Sequence, residues 1–405
     1  MKFTQSIFAA AFAFAAAAAF AAPVTTQGVG VGKHGDIQVA VTFDNGKIQK
    51  IDILKNAENP VLAKKVFTDL KDQIVAANSV QLDGISGATF TSKGLFAAVE
   101  DAAKKADVTL GQADKKALKA AVKDLPKNAS YDVVVIGAGG AGFSAAIEAK
   151  NAGATVVLLE KMPQVGGNSL ISGAEMNAAK NWVQPKLGIT DDSPELHAKD
   201  TYLGGDKKGD MKVINVMTHN ALAGAEWCRD YLGVRFEPDN LFFFGGHSRK
   251  RALIPVGHTG TEFITKFQAK ADELGIPVIT NMKAEELIKD KSGRVVGVKA
   301  TMNGAEYSFN AKGGVVLATG GFGANPAMVK KYNPKIDERF KTTDAPGTTG
   351  EALYMAQRAG AELVNMQYIQ TYPICDPISG VIELIADARF DGAIMLNQEG
   401  KRFVE

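Results

Sequence analysis

Residues 131–161 read YDVVVIGAGGAGFSAAIEAKNAGATVVLLEK, and this stretch predicts the fold of most of the chain. The β-branched run at residues 133–136 is typical of a buried parallel strand. Residues 141–153 have a helical pattern, and residues 155–159 form a second apolar run. Strand, helix and strand in this order predict a βαβ unit, and therefore an α/β fold that contains a Rossmann-like domain.

The turn between the first strand and the helix is rich in glycine. Gly137, Gly139 and Gly142 form the pattern G-x-G-x-x-G. In this pattern the three glycines allow a tight turn, a close approach of pyrophosphate to the backbone and close packing of helix on strand. The helix N-terminus offers free N–H groups to the phosphates, and Glu160 at the end of the second strand can accept hydrogen bonds from a ribose. The stretch therefore predicts a dinucleotide site.

The residues that follow Glu160 favour FAD over NAD. Residues 161–177 read KMPQVGGNSLISGAEMN, and residues 314–325 read GVVLATGGFGAN. With the glycine pattern, these segments resemble the fumarate reductase/succinate dehydrogenase flavoprotein family, in which the first loop runs along the flavin and the second segment returns near it. The resemblance implies that FAD is bound non-covalently by the following residues: Gly137, Ala138, Gly139, Gly142, Glu160, Lys161, Gly167, Asn168, Ser169, Thr319, Gly320 and Glu351.

Length and composition fit a globular protein with two or three domains. The chain has 405 residues, 46% of them hydrophobic and 22% charged, and a formal net charge of +2. This balance, without a basic stripe, argues against a nucleic-acid partner.

Cys228 and Cys375 show no haem-attachment or metal-ligand spacing, and the histidines show none either, so no metal is expected. The two cysteines either form a disulfide or, as we favour, are unrelated buried thiols.

The N-terminus is typical of a targeting segment. Lys2 precedes the apolar run at residues 7–20, and Ala19-Phe20-Ala21 fits a small-x-small cleavage site. We predict that residues 1–21 are a cleaved signal peptide, with an uncleaved anchor as the alternative. The mature protein is then expected to be soluble and periplasmic.

A separate α+β unit is predicted for residues 24–108. Residues 35–54 alternate between apolar and polar around an Asp-Asn-Gly turn, which predicts a β-hairpin. Residues 60–77 and 93–105 have helical patterns. The lysine- and alanine-rich residues 109–130 are interpreted as a linker.

Within this unit, residues 83–91 fit the pattern D-x-x-S-G-A-T-x-T. The pattern resembles the FMN-binding domain of bacterial redox complexes and fused flavoprotein reductases, in which FMN is attached to threonine as a phosphoester. The resemblance implies covalent FMN on Thr91, with Thr89 as the alternative acceptor. The other interpretation is a polar loop in which Thr91 or Ser92 caps the next helix.

The rest of the chain is divided into an FAD-binding domain, residues 131–365, and the start of an α+β substrate-capping domain, residues 366–405. Residues 294–300 and 306–310 are predicted to be strands of a β-meander, and the region between residues 195 and 290 is predicted to mix helices and loops. Residues 400–405 match the G-x-R-F turn of the family's capping domain. The family's proton-donating arginine follows that turn, so we expect a C-terminally truncated chain with no catalytic residue to name.

Four residues bear on the substrate. Fumarate reductases carry Q-x-H-P at the start of the cap, and this chain has Gln370-Thr371-Tyr372-Pro373. Tyr372 replaces the histidine of a carboxylate clamp by a phenol. Glu175 stands where fumarate reductases usually carry a small residue, and Asp387 lies close to, but out of register with, a position where they carry a glutamate. Phe244 is the candidate to stack on a planar ring. A ring with two N–H groups suits this set, which resembles urocanate-reducing members of the family. The resemblance implies reduction of urocanate to imidazole propionate.

The two flavins together imply the direction of electron flow. FMN accepts electrons one at a time, and FAD passes hydride to the activated alkene of a 2-enoate. The family implies a membrane quinol-oxidising cytochrome, or another periplasmic donor, as the electron source, and we expect a monomer. The alternatives are a reductase of fumarate, methacrylate or an aryl acrylate, and a non-catalytic electron-transfer flavoprotein.

Overall fold

The computed structural model describes residues 22–82, 84–85, 88–111, 125–337, 339–372 and 392–403. The chain divides into two compact units, Met1–Lys123 and Asp124–Glu405. The predicted signal peptide lies outside the described residues, as does most of the predicted linker. Among the described helices, none has the length and apolar character needed to cross a membrane.

The first unit packs helices against an antiparallel sheet with the strand order β1-β2-β3. The predicted hairpin is confirmed, because β2 pairs with β3 around Asn45 and Gly46, whose φ values of 49° and 73° suit a tight hairpin turn. Alternate residues of β2 point into the core, where Ile37, Val39 and Val41 are fully buried. The elements are β1 Val24–Val31, β2 Asp36–Asp44, β3 Lys47–Lys55, α1 Pro60–Lys65, a π-helical turn Val66–Leu70, α2 Lys71–Ala77 and α3 Thr89–Lys105.

Strand β1 was not predicted, since its sequence VTTQGVGV has too weak an alternation. Its glycines have a packing role instead. A Cβ atom at Gly28 would lie 1.9 Å from the carbonyl oxygen of Ala98, and one at Gly30 would lie 2.1 Å from that of Gly94. The backbone of β1 therefore packs directly on α3, which only a strand of small residues allows.

Helix α3 begins four residues earlier than predicted. Its N-cap is Ala88, which makes no side-chain capping hydrogen bond. Thr91 and Ser92 lie inside the first turn, so the interpretation of either residue as the N-cap is wrong. Ser92 instead donates to the carbonyl oxygen of Ala88 and accepts from the backbone N–H of Ile85. Two hydrogen bonds to the preceding segment thus hold the start of the helix without a conventional cap.

The second unit is built on a six-stranded sheet with the order β10-β11-β12-β4-β5-β9. Strands β12, β4, β5 and β9 are parallel, whereas β10, β11 and β12 form an antiparallel meander. The predicted βαβ unit and meander are confirmed. The sheet elements and the crossover helix are β4 Asn128–Ile136, α4 Gly140–Asn151, β5 Val156–Leu159, β9 Val278–Ile279, β10 Lys283–Lys289, β11 Val295–Met302 and β12 Ala305–Leu317.

Two boundaries differ from the prediction because of long-range pairing. Strand β4 starts at Asn128 and not at residue 133, since residues 128–131 pair with residues 308–311 of β12. Strand β12 is continuous over Ala305–Leu317, so one predicted meander strand and the predicted returning strand are a single element. Local sequence cannot reveal either extension, because the pairing partner lies about 180 residues away in the chain.

A second sheet has three strands in the order β6-β8-β7, and two of them, β7 and β8, lie in the region predicted to mix helices and loops. Its strands were missed because β6 has two residues, β8 has four, and β7 contains Pro238. The remaining elements are α5 Gly167–Ile171, β6 Met176–Asn177, a 3-10 turn Gln184–Leu187, α6 Pro194–Gly204, α7 Met211–Glu226, a π-helical turn Trp227–Tyr231, β7 Phe236–Phe242, β8 Ala252–Pro255, α8 Thr261–Glu273, α9 Pro326–Tyr332 and α10 Glu351–Ala359.

The α/β class is confirmed, as is the turn near the end of the chain. In that turn Leu396 pairs with Arg402, and Gly400 has a φ of 74°. Cys228 is a free, buried thiol, and burial raises its pKa to about 11. Cys375 lies outside the described residues.

Candidate active site

The carboxyl ends of β4, β5 and β12 border a cavity of about 360 Å³. This is where parallel sheets bind ligands. Ala138 and Gly142 are not part of the lining, but ten other residues predicted to hold FAD are: Gly137, Gly139, Glu160, Lys161, Gly167, Asn168, Ser169, Thr319, Gly320 and Glu351. Residues that are far apart in sequence thus surround one cavity.

The three glycines of the first turn have different surroundings. Gly137 has a φ of 101°, and a Cβ atom at Gly142 would lie 1.8 Å from the carbonyl oxygen of Gly137. These two glycines are required by the protein's own packing. At Gly139 the nearest atom to an added Cβ is Ser169 Oγ at 3.5 Å, so the protein leaves this position open. The open space in front of Gly139 fits the pyrophosphate of a dinucleotide.

Glu160 connects the glycine turn to the loop that follows β5. Its side chain is buried and accepts hydrogen bonds from the backbone N–H groups of Ala138 (2.9 Å) and Met162 (2.8 Å). A carboxylate has about four acceptor positions, so two remain for hydroxyl groups of a ligand. Glu160 can therefore shape the site and bind a ribose at the same time, while Ala138 acts through its backbone.

An ion pair in the lining of the cavity joins Lys161, which follows Glu160, to Glu351 at the start of α10. Lys161 Nζ donates to Glu351 Oε2 at 2.8 Å and to Thr349 Oγ1 at 2.5 Å, and Thr349 donates to Glu351. Burial alone would raise the pKa of Glu351, but the hydrogen bonds from Lys161 and Thr349 outweigh it and lower that pKa to about 2. The carboxylate of Glu351 is therefore charged at neutral pH. The role of Thr349 was missed by sequence reasoning, although it adjoins the predicted Glu351.

Residues Gly166-Gly167-Asn168-Ser169, which form the turn into α5, are held by a loop that no sequence motif indicated. Asn168 donates to Asp344 and accepts from the backbone N–H of Ala345, both at 2.6 Å. Ser169 Oγ accepts from the backbone N–H of Gly140 at 3.1 Å. Asn168 and Ser169 thus fasten the turn to the loop on one side and to the start of α4 on the other.

A second cavity, of about 230 Å³, lies in the first unit. Thr91 and Thr89 both line it, together with Lys33, His34 and Glu58. Thr91 is 4% exposed and its hydroxyl donates to the carboxylate of Glu58, which is 7% exposed. Thr89 is exposed. The hydroxyls and basic side chains around one cavity fit the phosphate of FMN, and Glu58 was not foreseen from the sequence. Asp83, Ser86 and Gly87 of the motif lie outside the described residues.

The predicted substrate residues are only partly brought together. Glu175 is half-buried just before β6, and a Cβ atom at Gly173 would lie 2.5 Å from its carboxylate oxygens. Phe244 follows β7 and packs edge-on against Phe242, with ring centroids 4.7 Å apart. Strands β6 and β7 flank β8 and run parallel to each other, so Glu175 and Phe244 lie toward opposite ends of this sheet. Tyr372 is half-buried, and Asp387 lies outside the described residues.

A fully buried arginine stabilises this small sheet and was not foreseen. Arg251 donates to Asp192 (2.7 and 3.0 Å) and to Asp200 (2.8 Å). Asp200 also accepts two hydrogen bonds from Ser248, which follows Phe244 by four residues. The carbonyl oxygen of Arg251 accepts from the backbone N–H of Ala178, just after β6. The arginine therefore links the segments that carry Glu175 and Phe244.

Burial and the charge of Arg251 lower the pKa values of the two histidines beside this cluster, His197 and His247. Burial, and then the charge of Arg251, lower the pKa of His197 to about 4. Burial alone would raise the pKa of Asp192, but its hydrogen bonds with Arg251 and Gln184 lower it. The cluster therefore holds one arginine and two carboxylates in their charged forms, next to a neutral His197.

Comparison with known families matches both units. Residues 132–405 match the FAD-binding domain family, and residues 32–104 match the FMN-binding domain family. The order predicted from the sequence, an FMN-binding domain followed by an FAD-binding domain, is confirmed.

Named relatives are reductases. A urocanate reductase from Eggerthella lenta is 42% identical over 384 residues, which cover 93% of this chain and 62% of that protein. A fumarate reductase (cytochrome) from Shewanella frigidimarina is 37% identical over 293 residues, which cover 72% of this chain and 50% of that protein.

Among solved structures, the open conformation of a flavocytochrome c3 fumarate reductase has a TM-score of 0.62 at 32% identity, covering 73% of this chain and 51% of that one. The chain thus spans between half and two thirds of the length of these proteins. The fold, the FAD cavity and the family matches agree. The chain belongs to the fumarate reductase flavoprotein family and carries an FMN-binding domain ahead of its FAD-binding domain.

Proposed function

We propose that the protein is a periplasmic flavoprotein that reduces the C=C bond of a 2-enoate, with urocanate as the substrate and imidazole propionate as the product. The observation that carries this proposal is the presence of two flavin-type cavities in one chain, one behind the G-x-G-x-x-G turn and one beside Thr91. FAD bound in the first cavity supplies the hydride, and FMN at the second supplies electrons singly.

The residues of the FAD cavity have three tasks in this reaction. Gly139 and the start of α4 hold the pyrophosphate, and Glu160 accepts hydrogen bonds from a ribose. Lys161 and Glu351 add a charged pair to the lining of the cavity.

Urocanate is favoured over fumarate for two reasons. First, the urocanate reductase is 42% identical over 93% of this chain, which includes both flavin units, whereas an NADH:fumarate oxidoreductase from Klebsiella pneumoniae that matches 91% of the chain is 34% identical. Second, Tyr372 stands where fumarate reductases carry a histidine, and Glu175 and Asp387 add carboxylates. A phenol and two acids suit the N–H groups of an imidazole and repel a second substrate carboxylate. We assign stacking on the ring to Phe244.

Covalent attachment of FMN to Thr91 is part of the proposal. Thr91 is favoured over Thr89 because its hydroxyl is held by Glu58 inside the cavity, whereas Thr89 is exposed. Peptide mass spectrometry of the purified protein tests this point. We expect the mass of FMN, less water, on the peptide that contains Thr91, and its loss in Thr91→Ala but not in Thr89→Ala.

The signal-like residues 1–21 support a periplasmic location. Electrons then come from a membrane quinol-oxidising cytochrome or from another periplasmic donor, and the protein acts as a monomer. Fractionation of cells that produce the tagged protein tests the location. Recovery in the cytoplasm with residues 1–21 intact would contradict it.

The decisive experiment is a substrate comparison with the full-length protein. Reduced methyl viologen serves as the electron donor, and urocanate, fumarate, methacrylate and an aryl acrylate are compared by kcat/KM. We expect urocanate to give the highest value. A higher value for fumarate or an acrylate would overturn the assignment of urocanate as the substrate but would still support reduction of a C=C bond. If none of the four compounds is reduced, the result would favour an electron-transfer protein.

A further inference from the structure

We propose that Glu58 is the catalytic base that activates Thr91 for attachment of the flavin phosphate. The inference rests on the proposed covalent FMN and goes beyond it, because it assigns the chemistry of attachment to a second residue of this chain. Glu58 lies 33 residues before Thr91 in the chain, outside both the D-x-x-S-G-A-T-x-T pattern and helix α3.

The geometry is that of a nucleophile with its base. Thr91 Oγ1 donates a hydrogen bond to Glu58 Oε2, and both residues line the cavity of the first unit. Glu58 Oε1 accepts from the backbone N–H of His34 at 2.8 Å. One carboxylate oxygen is therefore held by the backbone while the other faces the hydroxyl, which is the arrangement of a base oriented by a third group.

The position of the Glu58 carboxylate requires glycine at two neighbouring places in the structure, Gly32 and Gly94. A Cβ atom at Gly32 would lie 2.4 Å from Glu58 Oε1, and one at Gly94 would lie 2.9 Å from the backbone of Gly32. Glycine at both positions lets the end of β1 pass between the carboxylate and α3. The carboxylate, in a side chain that is buried, thus occupies a space that only glycine at these positions leaves open.

The chemistry requires such a group. A threonine hydroxyl is a weak nucleophile at neutral pH and needs a base to take its proton. Thr91 Oγ1 forms the bond to phosphorus while Glu58 takes the hydroxyl proton. Since a simple phosphate monoester has no good leaving group, the donor must be a flavin nucleotide activated as a pyrophosphate, as in a flavin dinucleotide. The bond from that phosphorus to the bridging oxygen breaks, the nucleoside monophosphate leaves with the electron pair, and Glu58 returns the proton to solvent. The flavin is neither oxidised nor reduced.

Lys33 and His34 line the same cavity. A basic side chain there stabilises the negative charge that develops on the phosphoryl oxygens. Thr89, although it lines the cavity too, has no carboxylate partner among its hydrogen bonds in the described residues. The Glu58 contact therefore also explains which of the two threonines reacts.

The test measures attachment and not turnover. The full chain is produced in a bacterial host in which the wild type acquires the adduct, and samples taken over time are digested and analysed by mass spectrometry. Glu58→Gln keeps the shape and an acceptor oxygen for Thr91 but cannot take a proton. We expect it to slow attachment by about 100-fold or more. Asp101→Asn is the matched control, since Asp101 likewise accepts from a backbone N–H, that of Val29, but is absent from the cavity lining.

Far-UV circular dichroism and thermal unfolding show whether each variant is folded. A folded Glu58→Gln chain that acquires the adduct at the wild-type rate overturns the role of Glu58 and leaves FMN on Thr91 intact. If Glu58→Gln does not fold, Glu58→Asp decides, because it keeps a carboxylate: attachment on that variant supports the base, and a folded variant without attachment overturns it. A wild type without the adduct contradicts the covalent FMN itself, and the inference with it.

Discussion

Position 372 carries a phenol where the family resemblance places an imidazole in fumarate reductases, and we expect this one side chain to change which substrates are accepted. A tyrosine hydroxyl can donate or accept a hydrogen bond but carries no positive charge at neutral pH. The second carboxylate of fumarate would meet no cation there. Specificity at this residue is therefore expected to come from repulsion as much as from attraction.

We expect Tyr372→His in the full-length protein to raise the ratio of kcat/KM for fumarate over urocanate by about tenfold or more, since about 1.4 kcal/mol of differential transition-state binding is enough. Steady-state assays with reduced viologen measure it. Tyr368→His is the matched control, because Tyr368 lies four residues earlier and is 54% exposed. An unchanged ratio in Tyr372→His would remove this residue from substrate selection.

Two glycines of the G-x-G-x-x-G turn are expected to have different roles, Gly142 in folding and Gly139 in binding FAD. Gly142→Ala forces a Cβ to within 1.8 Å of a carbonyl oxygen, so we expect loss of several kcal/mol of stability and poor recovery of folded protein. Gly139→Ala meets nothing closer than 3.5 Å, so its melting temperature without cofactor should stay near that of the wild type. Its FAD affinity should fall by about tenfold or more, because the methyl takes space needed by pyrophosphate. Titration of apoprotein with FAD and a thermal melt check both.

At the scale of elements, the Arg251 cluster decides how the three-stranded sheet is held. Two short strands and a proline-containing strand have little intrinsic stability. The arginine compensates by hydrogen bonding to Asp192 just before α6, to Asp200 within α6 and to His247 in the turn after β7. We therefore regard the cluster as the structural support of the segments that carry Glu175 and Phe244.

Replacing Arg251 with methionine leaves Asp192 and Asp200 buried without their cation. We expect this to cost about 3–5 kcal/mol in the free energy of unfolding. Arg249→Met is the matched control, since the Arg249–Asp191 pair lies on the surface, with side chains 36% and 63% exposed, and should contribute about 1 kcal/mol or less. Urea unfolding of both variants measures the difference, and equal costs would contradict the structural role of the cluster.

The same cluster makes stability depend on pH. His197 is neutral in the folded protein because its pKa is lowered to about 4, whereas in the unfolded chain it titrates near 6.5. The unfolded chain therefore binds more protons between these values, so stability should fall by about 2–3 kcal/mol as the pH drops from 6.5 to 4. Below that range Asp192 and Asp200, whose pKa values are also lowered, lose their ion pairs with Arg251.

Urea unfolding at several pH values checks this dependence. His197→Gln should flatten the slope between pH 6.5 and 4, whatever it does to absolute stability. A wild-type slope retained in His197→Gln would assign the effect to other groups.

At the scale of the whole molecule, the chain consists of two units with separate cores. Ile37, Val41, Leu70 and Leu95 are fully buried within the first unit, which has its own sheet and helices. A unit of this size can bury enough apolar surface to fold alone, although its stability is expected to be modest.

We therefore expect a fragment of residues 22–111 to fold by itself and to unfold cooperatively in urea. Far-UV circular dichroism and the urea transition measure this, with Leu95→Ala as a core variant that should lose about 2–5 kcal/mol. A fragment that remains unfolded until residues 125–403 are supplied would show that the first unit depends on the second.

The sequence by itself determined the βαβ unit with its glycine turn, the hairpin around Asn45 and Gly46, and the identity of both flavin-binding units. These features depend on residues that are close together in the chain, where periodicity and turn chemistry are local. The tertiary structure decided the full length of β4 and β12, the early start of α3, the three-stranded sheet, the Arg251 cluster and the contact between Glu58 and Thr91. Each of these depends on groups brought together from distant positions, so their hydrogen bonds and packing cannot be inferred from any single segment.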